Sequence, residues 1–291
     1  VGAIATPADT DLPSRSYARL WGREHEVEKI MDILRDPAGK GLVSISGLGG
    51  IGKTALAREI VDKCQQERLF HKFMWETAKE EAFVGGKIRS IATPTLSFKT
   101  LLDKIAIHLD HPKIVETKSE EEKREAVRSL LRSLPCLIVV DNLETVEDHE
   151  SLVVDIVTLA TNTSRFLFTS RPQLIEYDEI YCISLEGLQE NDAFAFLRHE
   201  AKDRGAVSMA EANETTLRSI YQATGGAPLA MKLVVADEPP AIRNRATKSP
   251  RGNGRYGGFI HIYLSRNMEV AVPLCPEGLN RHASFSFFSD P

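Results

Sequence analysis

The sequence predicts an α/β fold, in which a parallel sheet of five strands is flanked by helices and followed by a small helical subdomain and an irregular C-terminal tail. Three observations support this prediction. A glycine-rich loop at residues 47–54 separates a strand pattern from a helical pattern, and residues 136–140 form an unbroken apolar run that is typical of a central parallel strand. Residues 188–236 then show helical patterns alone.

The chain before the loop contains one predicted helix. Residues 1–16 are rich in proline, threonine, alanine and serine without periodicity, and we expect a disordered leader. Residues 20–36 turn at Gly22 and continue with apolar residues at helical spacing. A helix at this place can cover an adenine ring, with Trp21 or Leu20 as an apolar wall and the Gly22 backbone as the hydrogen-bonding edge. Simple packing in the core is the alternative role for Trp21.

The loop itself fits the pattern G-x-x-x-x-G-K-[ST], which binds nucleotide phosphates and predicts the P-loop NTPase fold. We expect Gly49, Gly50 and Gly52 to adopt positive φ, so that backbone N–H groups come close to the phosphates. The Lys53 ammonium would reach the β- and γ-phosphates, and the Thr54 hydroxyl would bind Mg²⁺. The loop residues predicted to contact the cofactor are Gly47, Gly49, Gly50, Ile51, Gly52, Lys53, Thr54 and Ala55.

Two later strands each end in a charged residue. The apolar strand at residues 136–140 ends in Asp141, and we expect it to lie beside the loop strand, where an acidic residue organises Mg²⁺. An aspartate that only caps a turn is the alternative. The strand at residues 165–170 precedes Arg171, which can reach the γ-phosphate because ligands bind at the carboxyl ends of the strands in such sheets. The remaining strands are predicted at residues 73–77 and 181–185.

The C-terminal third changes character twice. In the helical region, a Gly-Gly pair is followed by Pro228, which is typical punctuation between two helices. Residues 237–291 lose the helical period, and we expect an irregular tail there. A β-hairpin over residues 259–274 is conceivable within this tail, although an isolated hairpin is marginally stable.

The amino-acid composition limits the classes of partner that the chain is expected to bind. The 291 residues carry a net charge of -5, so no global attraction to nucleic acid or to an anionic membrane is expected. The basic stretch at residues 243–255 is interpreted as a solvated tail rather than a nucleic-acid site. Four scattered cysteines predict neither a zinc site nor disulfides and fit a reducing cytoplasm. No segment approaches the roughly 18 to 20 apolar residues that cross a bilayer.

In this order, the segments LWGRE, GLGGIGKTALA, LIVVDNLE, FLFTSRP and GGAPLA resemble the NB-ARC nucleotide-binding domain of the STAND class of P-loop ATPases. The resemblance covers residues 17–235 and implies an α/β domain at residues 17–187 and a partial helical subdomain at residues 188–236. It also implies ATP or ADP with Mg²⁺ as cofactors. The residues it assigns outside the loop are Trp21, Gly22 and Arg23 on the N-terminal side of the nucleotide, Asp141 as the Walker B aspartate, Arg171 as the sensor arginine and Pro228 as a lid over the adenine.

Two departures from the family pattern bear on activity. Asn142 stands where members usually have a second acidic residue, and an amide cannot accept a proton from attacking water. Hydrolysis should therefore be slow unless Glu144 acts as the base. Residues 237–291 do not match the winged-helix domain with which the family usually continues, so we expect a truncated or frame-altered end, or a divergent tail.

These features together predict a nucleotide-gated switch, in which ATP and ADP select between conformations. Its output would be oligomerisation or protein binding through domains outside this sequence. An enzyme devoted to ATP turnover, with Glu144 as base, is the alternative, and a nucleotide-binding fragment without output is another. Asp141, Glu144 and Arg171 are the candidate catalytic residues, and Thr54 and Asp141 are the candidate Mg²⁺ ligands.

Overall fold

The computed structural model of the chain describes residues 12–15, 17–77, 81–84, 87–90, 96–146 and 148–237. Most of the predicted leader lies outside the described residues, and so do the tail beyond residue 237 and the hairpin at residues 259–274. Among the helices that are described, none has the length and apolarity needed to cross a membrane.

The core of the fold is a five-stranded sheet in which every neighbouring pair is parallel. Two short strands pair antiparallel in a separate sheet. A Gly-Gly pair stands between these two strands in the sequence, which is a hairpin signal. In chain order the strands are β1 (Leu42–Gly47), β2 (Lys72–Thr77), β3 (Glu81–Val84), β4 (Lys87–Ser90), β5 (Cys136–Asp141), β6 (Arg165–Ser170) and β7 (Ile180–Leu185).

The strand order of the large sheet is β2-β5-β6-β1-β7. Strand β6 therefore lies between the loop strand β1 and the strand β5 that ends in Asp141. The prediction that these two strands are neighbours is wrong. In β6, Phe166 and Phe168 face one layer of helices and Leu167 faces the other, and all three are fully buried. Strand β5 is buried along its whole length as well, so both are interior strands and their apolar patterns do not predict which of them lies beside β1.

Helices cover both faces of the sheet. Successive strand residues point to opposite sides, so Val43 packs with α1 and α2 while Leu42 packs with the helices of the other face. The helices are α1 (Glu24–Arg35), α2 (Lys53–Glu67), α3 (Phe98–His108), α4 (Glu120–Ser133) and α5 (His149–Leu159), with 3-10 turns at Pro112–Glu116 and Leu143–Thr145. This architecture confirms the predicted α/β class.

The described residues that follow the sheet, up to residue 237, form four further helices, namely α6 (Glu190–Arg204), α7 (Val207–Ala210), α8 (Glu214–Thr224) and α9 (Pro228–Ala236). The segment between β7 and α6 crosses the turn between α8 and α9 at close range. The Leu188 N–H donates to the Gly226 carbonyl at 2.9 Å. A Cβ on Gly187 would lie 1.8 Å from the Gly225 carbonyl oxygen, so only glycine fits at this crossing. The helical part is thereby fixed to the end of the sheet.

Candidate functional site

The phosphate loop joins β1 to α2 and uses its glycines in two different ways. Gly47, Gly50 and Gly52 have φ of 143°, 76° and 107°, which side chains with a Cβ rarely adopt. The prediction of positive φ is confirmed for Gly50 and Gly52 and is wrong for Gly49, which is not among the positive-φ residues. A Cβ on Gly49 would lie 3.7 Å from the Arg171 guanidinium, which is an ordinary contact distance, so the loop passes close to that cation at this residue.

Helix α2 presents its N-terminus to the loop. Gly52 is the N-cap residue, no side chain caps this end, and the first turn contains no acidic residue. The first N–H groups of a helix lack partners within the helix and carry the positive end of the helix dipole. This end of α2 is therefore suited to bind a phosphate.

Lys53 is folded beneath the loop. Its ammonium donates to the Gly47 carbonyl at 2.7 Å and to the Leu48 carbonyl at 3.1 Å, and the residue is only 7% exposed. Burial lowers the pKa of Lys53, while the nearby carboxylates of Glu144 and Asp141 act to raise it. The ammonium is thus a desolvated cation, and its attraction for a phosphate is stronger there than in water.

Asp141 is the central acceptor of the site and is 4% exposed. Its Oδ1 accepts a hydrogen bond from Thr54 Oγ1 at 2.9 Å and another from Thr169 Oγ1 at 2.5 Å. Sequence reasoning missed Thr169, although its place at the carboxyl end of β6 in FLFTSRP is a usable signal. The structure brings the two predicted Mg²⁺ ligands, Thr54 and Asp141, into contact, and oxygen donors are the ligands that Mg²⁺ prefers.

The described residues contain no group of three or more His, Cys, Asp or Glu side chains arranged to hold a metal ion. An ion bound by Thr54 and Asp141 would therefore need further oxygens from water or from phosphates, which is the usual Mg²⁺ arrangement.

Asn142 adopts the left-handed conformation with φ 60° and ψ 47°, which asparagine tolerates better than most residues. Its backbone N–H donates to Thr169 Oγ1 at 2.9 Å, and its side-chain amide donates to Asp141 Oδ2 at 2.9 Å. The amide thus orients the Asp141 carboxylate. A carboxylate in its place would face Asp141 as a like charge.

Glu144 and Arg171 form an ion pair, with Arg171 Nε 3.2 Å from Glu144 Oε1. The Glu144 side chain is 14% exposed and that of Arg171 is 69% exposed. The other carboxylate oxygen, Glu144 Oε2, is buried and has no hydrogen-bond partner among the described residues. The three predicted catalytic residues therefore lie around the phosphate loop, with Glu144 close enough to influence Lys53.

The N-terminal residues Trp21, Gly22 and Arg23 form a junction between the two parts of the molecule. Trp21 contacts His199 of α6 edge-to-face at 5.3 Å. Gly22 has φ of 54°, and a Cβ there would lie 2.6 Å from Asp192 Oδ2. Arg19 places its guanidinium 4.5 Å from the centre of the Trp21 ring. The adenine contacts of these residues stay a prediction.

Arg23 is 5% exposed and ties three segments together. Its guanidinium donates to the Glu186 carbonyl at 2.5 Å, to the Ile51 carbonyl of the loop at 3.4 Å and to the Glu26 carboxylate at 3.0 Å. All of these acceptors are groups of the protein itself. Arg23 therefore links the phosphate loop to the residue that follows β7.

The start of α9 touches the loop directly. Pro228 is the first residue of this helix, and the N–H of the next residue, Leu229, donates to the Gly50 carbonyl at 3.2 Å. A Cβ on Gly50 would lie 2.7 Å from the Leu229 Cβ. Sequence reasoning singled out Pro228 and missed Leu229, whose only signal is its place in GGAPLA. The contact brings Pro228 to the edge of the phosphate loop.

Comparison with known proteins places this geometry in a family. The profile of the NB-ARC domain matches residues 23–206, which include the loop, Asp141 and Arg171. The chain belongs to the NB-ARC family. This confirms the resemblance, and NB-ARC domains are nucleotide-binding modules of signalling proteins of the STAND class.

Relatives of this NB-ARC chain are plant disease-resistance proteins. "Probable disease resistance protein RF45" of Arabidopsis thaliana is 25% identical over 219 residues, which cover 73% of this chain and 20% of the relative. "Disease resistance RPP8-like protein 3" of the same plant is 38% identical over 70 residues, or 24% of this chain and 8% of the relative. The NB-ARC chain thus spans about a fifth of the length of the first relative.

A solved structure shares the fold. The STAND protein with a tetratricopeptide repeat sensor from Pyrococcus horikoshii superposes with a TM-score of 0.57 at 16% sequence identity. The superposition covers 87% of this chain and 33% of that one. At this identity the likeness concerns the NB-ARC fold alone.

Replacing Asp141 by asparagine should remove the Mg²⁺-dependent part of nucleotide binding while changing the stability of the ligand-free fold only slightly. Burial raises the pKa of Asp141 above its ordinary 3.8. At a pH above this raised pKa, the ionised Asp141 carboxylate therefore lowers the stability of the folded state. This cost disappears as the pH falls below 3.8, the ordinary pKa of the group. The neutral amide avoids this cost, but its NH2 end cannot accept a hydrogen bond as the lost carboxylate oxygen did from Thr54 and Thr169 or from Asn142. These effects oppose each other, so we expect the ligand-free variant to unfold within about 1 kcal/mol of the wild type at pH 7.

The measurement for Asp141→Asn is the melting temperature with ADP, in the presence and in the absence of Mg²⁺. A ligand that binds only the folded state raises the melting temperature, so the wild type should gain from Mg²⁺ and the variant should not. A variant that gains as much from Mg²⁺ as the wild type would rule out Asp141 as a ligand.

Proposed function

We propose that the chain is an adenine-nucleotide switch module. It holds ADP or ATP with Mg²⁺ at the phosphate loop, hydrolyses slowly or not at all, and gives its output through conformational change and oligomerisation. The observation that carries this proposal is the contact of α9 with the loop, in which the Leu229 N–H donates to the Gly50 carbonyl. A change in the loop on binding phosphate therefore acts directly on the helical part of the molecule.

The chain's own residues divide the binding task. The loop N–H groups and the start of α2 bind the phosphates, and Lys53 moves its donors from the Gly47 and Leu48 carbonyls to phosphate oxygens. Thr54 and Asp141 hold Mg²⁺, which would neutralise phosphate charge when bound. Trp21, Gly22 and Arg23 on one side, and Pro228 on the other, enclose the adenine. These assignments rest on the family resemblance and on the placement of the residues around one loop.

Slow hydrolysis follows from the residues after β5. The Asn142 amide is engaged with Asp141 and cannot accept a proton from water. The Glu144 carboxylate is paired with Arg171 through one of its oxygens. An active ATPase with Glu144 as base is the second candidate, and the buried Glu144 Oε2 without a partner among the described residues favours it.

The output requires protein beyond this sequence. Shifting a two-state equilibrium from nearly one state to nearly the other requires a difference in binding free energy of about 5.5 kcal/mol between the states. A few contacts at one loop supply only part of that difference. We therefore expect flanking domains, self-association or a protein partner to complete the switch, and we place it in the cytoplasm.

The test is to identify the nucleotide that the purified chain releases on denaturation, together with its ATP turnover under saturating Mg²⁺. We expect stoichiometric ADP and turnover slower than nucleotide release. A chain that releases no nucleotide and does not bind a fluorescent ADP would contradict nucleotide binding. Fast turnover that is lost in Glu144→Gln and retained in Asn142→Ala would favour the ATPase over the switch.

A further inference from the structure

We propose that Glu144 is a specificity-determining residue that competes with the terminal phosphate of ATP for Arg171, and so biases the site toward ADP. The proposal rests on the proposed function, since it concerns the same nucleotide site. It assigns Glu144 a role in binding, which is separate from any role in proton transfer.

The geometry supports a shared arginine. The Nε edge of the Arg171 guanidinium faces Glu144 at 3.2 Å, and its Nη2 lies 3.7 Å from where a Cβ of Gly49 would be. The guanidinium therefore contacts the carboxylate and lies beside the phosphate loop at the same time. The planar donor fork of arginine matches carboxylate and phosphate equally well, so it can pair with either.

The two side chains of this ion pair differ in how freely they can move. The Arg171 side chain is 69% exposed and follows the end of β6, whereas the Glu144 side chain is 14% exposed and belongs to the 3-10 turn Leu143–Thr145. The arginine is thus the partner that can move, and the glutamate is the fixed acceptor that it leaves. The charges of both side chains act on Lys53, which places the pair at the phosphate end of the site.

Breaking the pair has a consequence at Glu144. Its Oε2 already lacks a hydrogen-bond partner among the described residues, so departure of Arg171 leaves a mostly buried carboxylate without its ion-pair partner. A mostly buried carboxylate that has lost its ion-pair partner is energetically unfavourable. A triphosphate needs Arg171 and incurs this loss, whereas a diphosphate leaves the pair intact. Glu144 therefore lowers the affinity for ATP more than the affinity for ADP.

The experiment is a double-mutant cycle in the full chain with excess Mg²⁺. The dissociation constants of ADP and of a non-hydrolysable ATP analogue are measured for wild type, Glu144→Gln, Arg171→Ala and the double variant. We expect Glu144→Gln to shift the affinity ratio toward the triphosphate about threefold, the scale of a partly exposed ion pair. Arg171→Ala should shift it the other way, and Glu144→Gln should have no further effect on the ratio in that background.

The matched control is Glu190→Gln. Glu190 Oε1 accepts from Arg218 Nε at 2.8 Å, so the pair joins the same two atom types on exposed side chains of the helical part. This variant should leave the ratio unchanged. Melting temperatures of all variants verify that they are folded.

Two results would overturn the proposal. An unchanged ratio in Glu144→Gln, with ADP binding intact, would show that Glu144 does not discriminate between the nucleotides. A shift that persists undiminished in the Arg171→Ala background would show that the Glu144 charge acts on the phosphates directly, without sharing the arginine. A wild-type chain that binds neither nucleotide would instead contradict the proposed function.

Discussion

Replacing Lys53 by methionine is expected to weaken ADP binding at least about 100-fold. The ammonium would donate charge-assisted hydrogen bonds to phosphate oxygens, and each such bond contributes roughly 1.5–3 kcal/mol. The loss of two of them corresponds to at least about 100-fold in the dissociation constant. Methionine keeps most of the buried apolar stem of Lys53, so the change isolates the charge.

The ligand-free Lys53→Met variant should unfold within about 1 kcal/mol of the wild type. Burial lowers the pKa of Lys53 in the folded state. At a pH below this lowered pKa, the buried charge destabilises the folded wild type, and the uncharged methionine avoids this loss. The lost hydrogen bonds to the Gly47 and Leu48 carbonyls act in the opposite direction.

Fluorescent-ADP titration and thermal melting measure the two effects of Lys53→Met. Lys63→Met is the matched control, because it removes the same charge ten residues later on α2. Undiminished ADP affinity in Lys53→Met would remove the basis for placing the nucleotide at this loop.

Replacing Gly187 by alanine should lower the free energy of unfolding by about 3 kcal/mol, the upper end of what overpacking usually costs. The new Cβ would lie 1.8 Å from the Gly225 carbonyl oxygen. The backbone fixes the position of a Cβ and the carbonyl is itself backbone, so no rotamer change relieves the clash. The clash can be relieved only if the segment between β7 and α6 moves away from the turn between α8 and α9. The start of α9 would then also shift away from Gly50, so ADP affinity should fall as well.

Urea denaturation measures the stability of the Gly187 variant, and Gly205→Ala serves as its control. Gly205 has φ of 70° and nothing within 4 Å of its added Cβ, so this substitution brings backbone strain without a clash. We expect it to cost about 1 kcal/mol and to leave ADP binding unchanged. Equal losses in the two variants would argue that the crossing at Gly187 has no special role.

The parts of the fold that the sequence predicts are those that depend on local patterns. The glycine-rich loop, the apolar run before Asp141 and the helical periods after residue 188 each specify an element through its own residues. Strand order depends on how distant segments meet, and nothing within β6 alone says that it lies between β1 and β5. Its residues Phe166 to Phe168 are buried on both faces, but so are those of β5, and the sequence does not rank them.

The same distinction holds within the site. The spacing of the loop motif assigns Lys53 and Thr54, since their positions are fixed relative to the loop. Thr169 and Leu229 contact the site only through the tertiary fold, 28 residues from Asp141 in the first case. The left-handed backbone of Asn142, which aims its amide at Asp141, is likewise set by the turn after β5 rather than by composition.

The packing of Trp21 against His199 has a spectroscopic consequence. The chain has two tryptophans, and the other, Trp75, lies 7% exposed within β2 of the sheet. Because Trp75 is buried in the sheet, its emission should change little when the helical part moves. Trp21 lies at the junction with α6, edge-to-face with the His199 ring and beneath the Arg19 guanidinium, so a movement of α6 would change the polar surroundings of its indole ring. The chain thus carries an intrinsic optical sensor of movement between its sheet and its helices, which reads out without any attached dye.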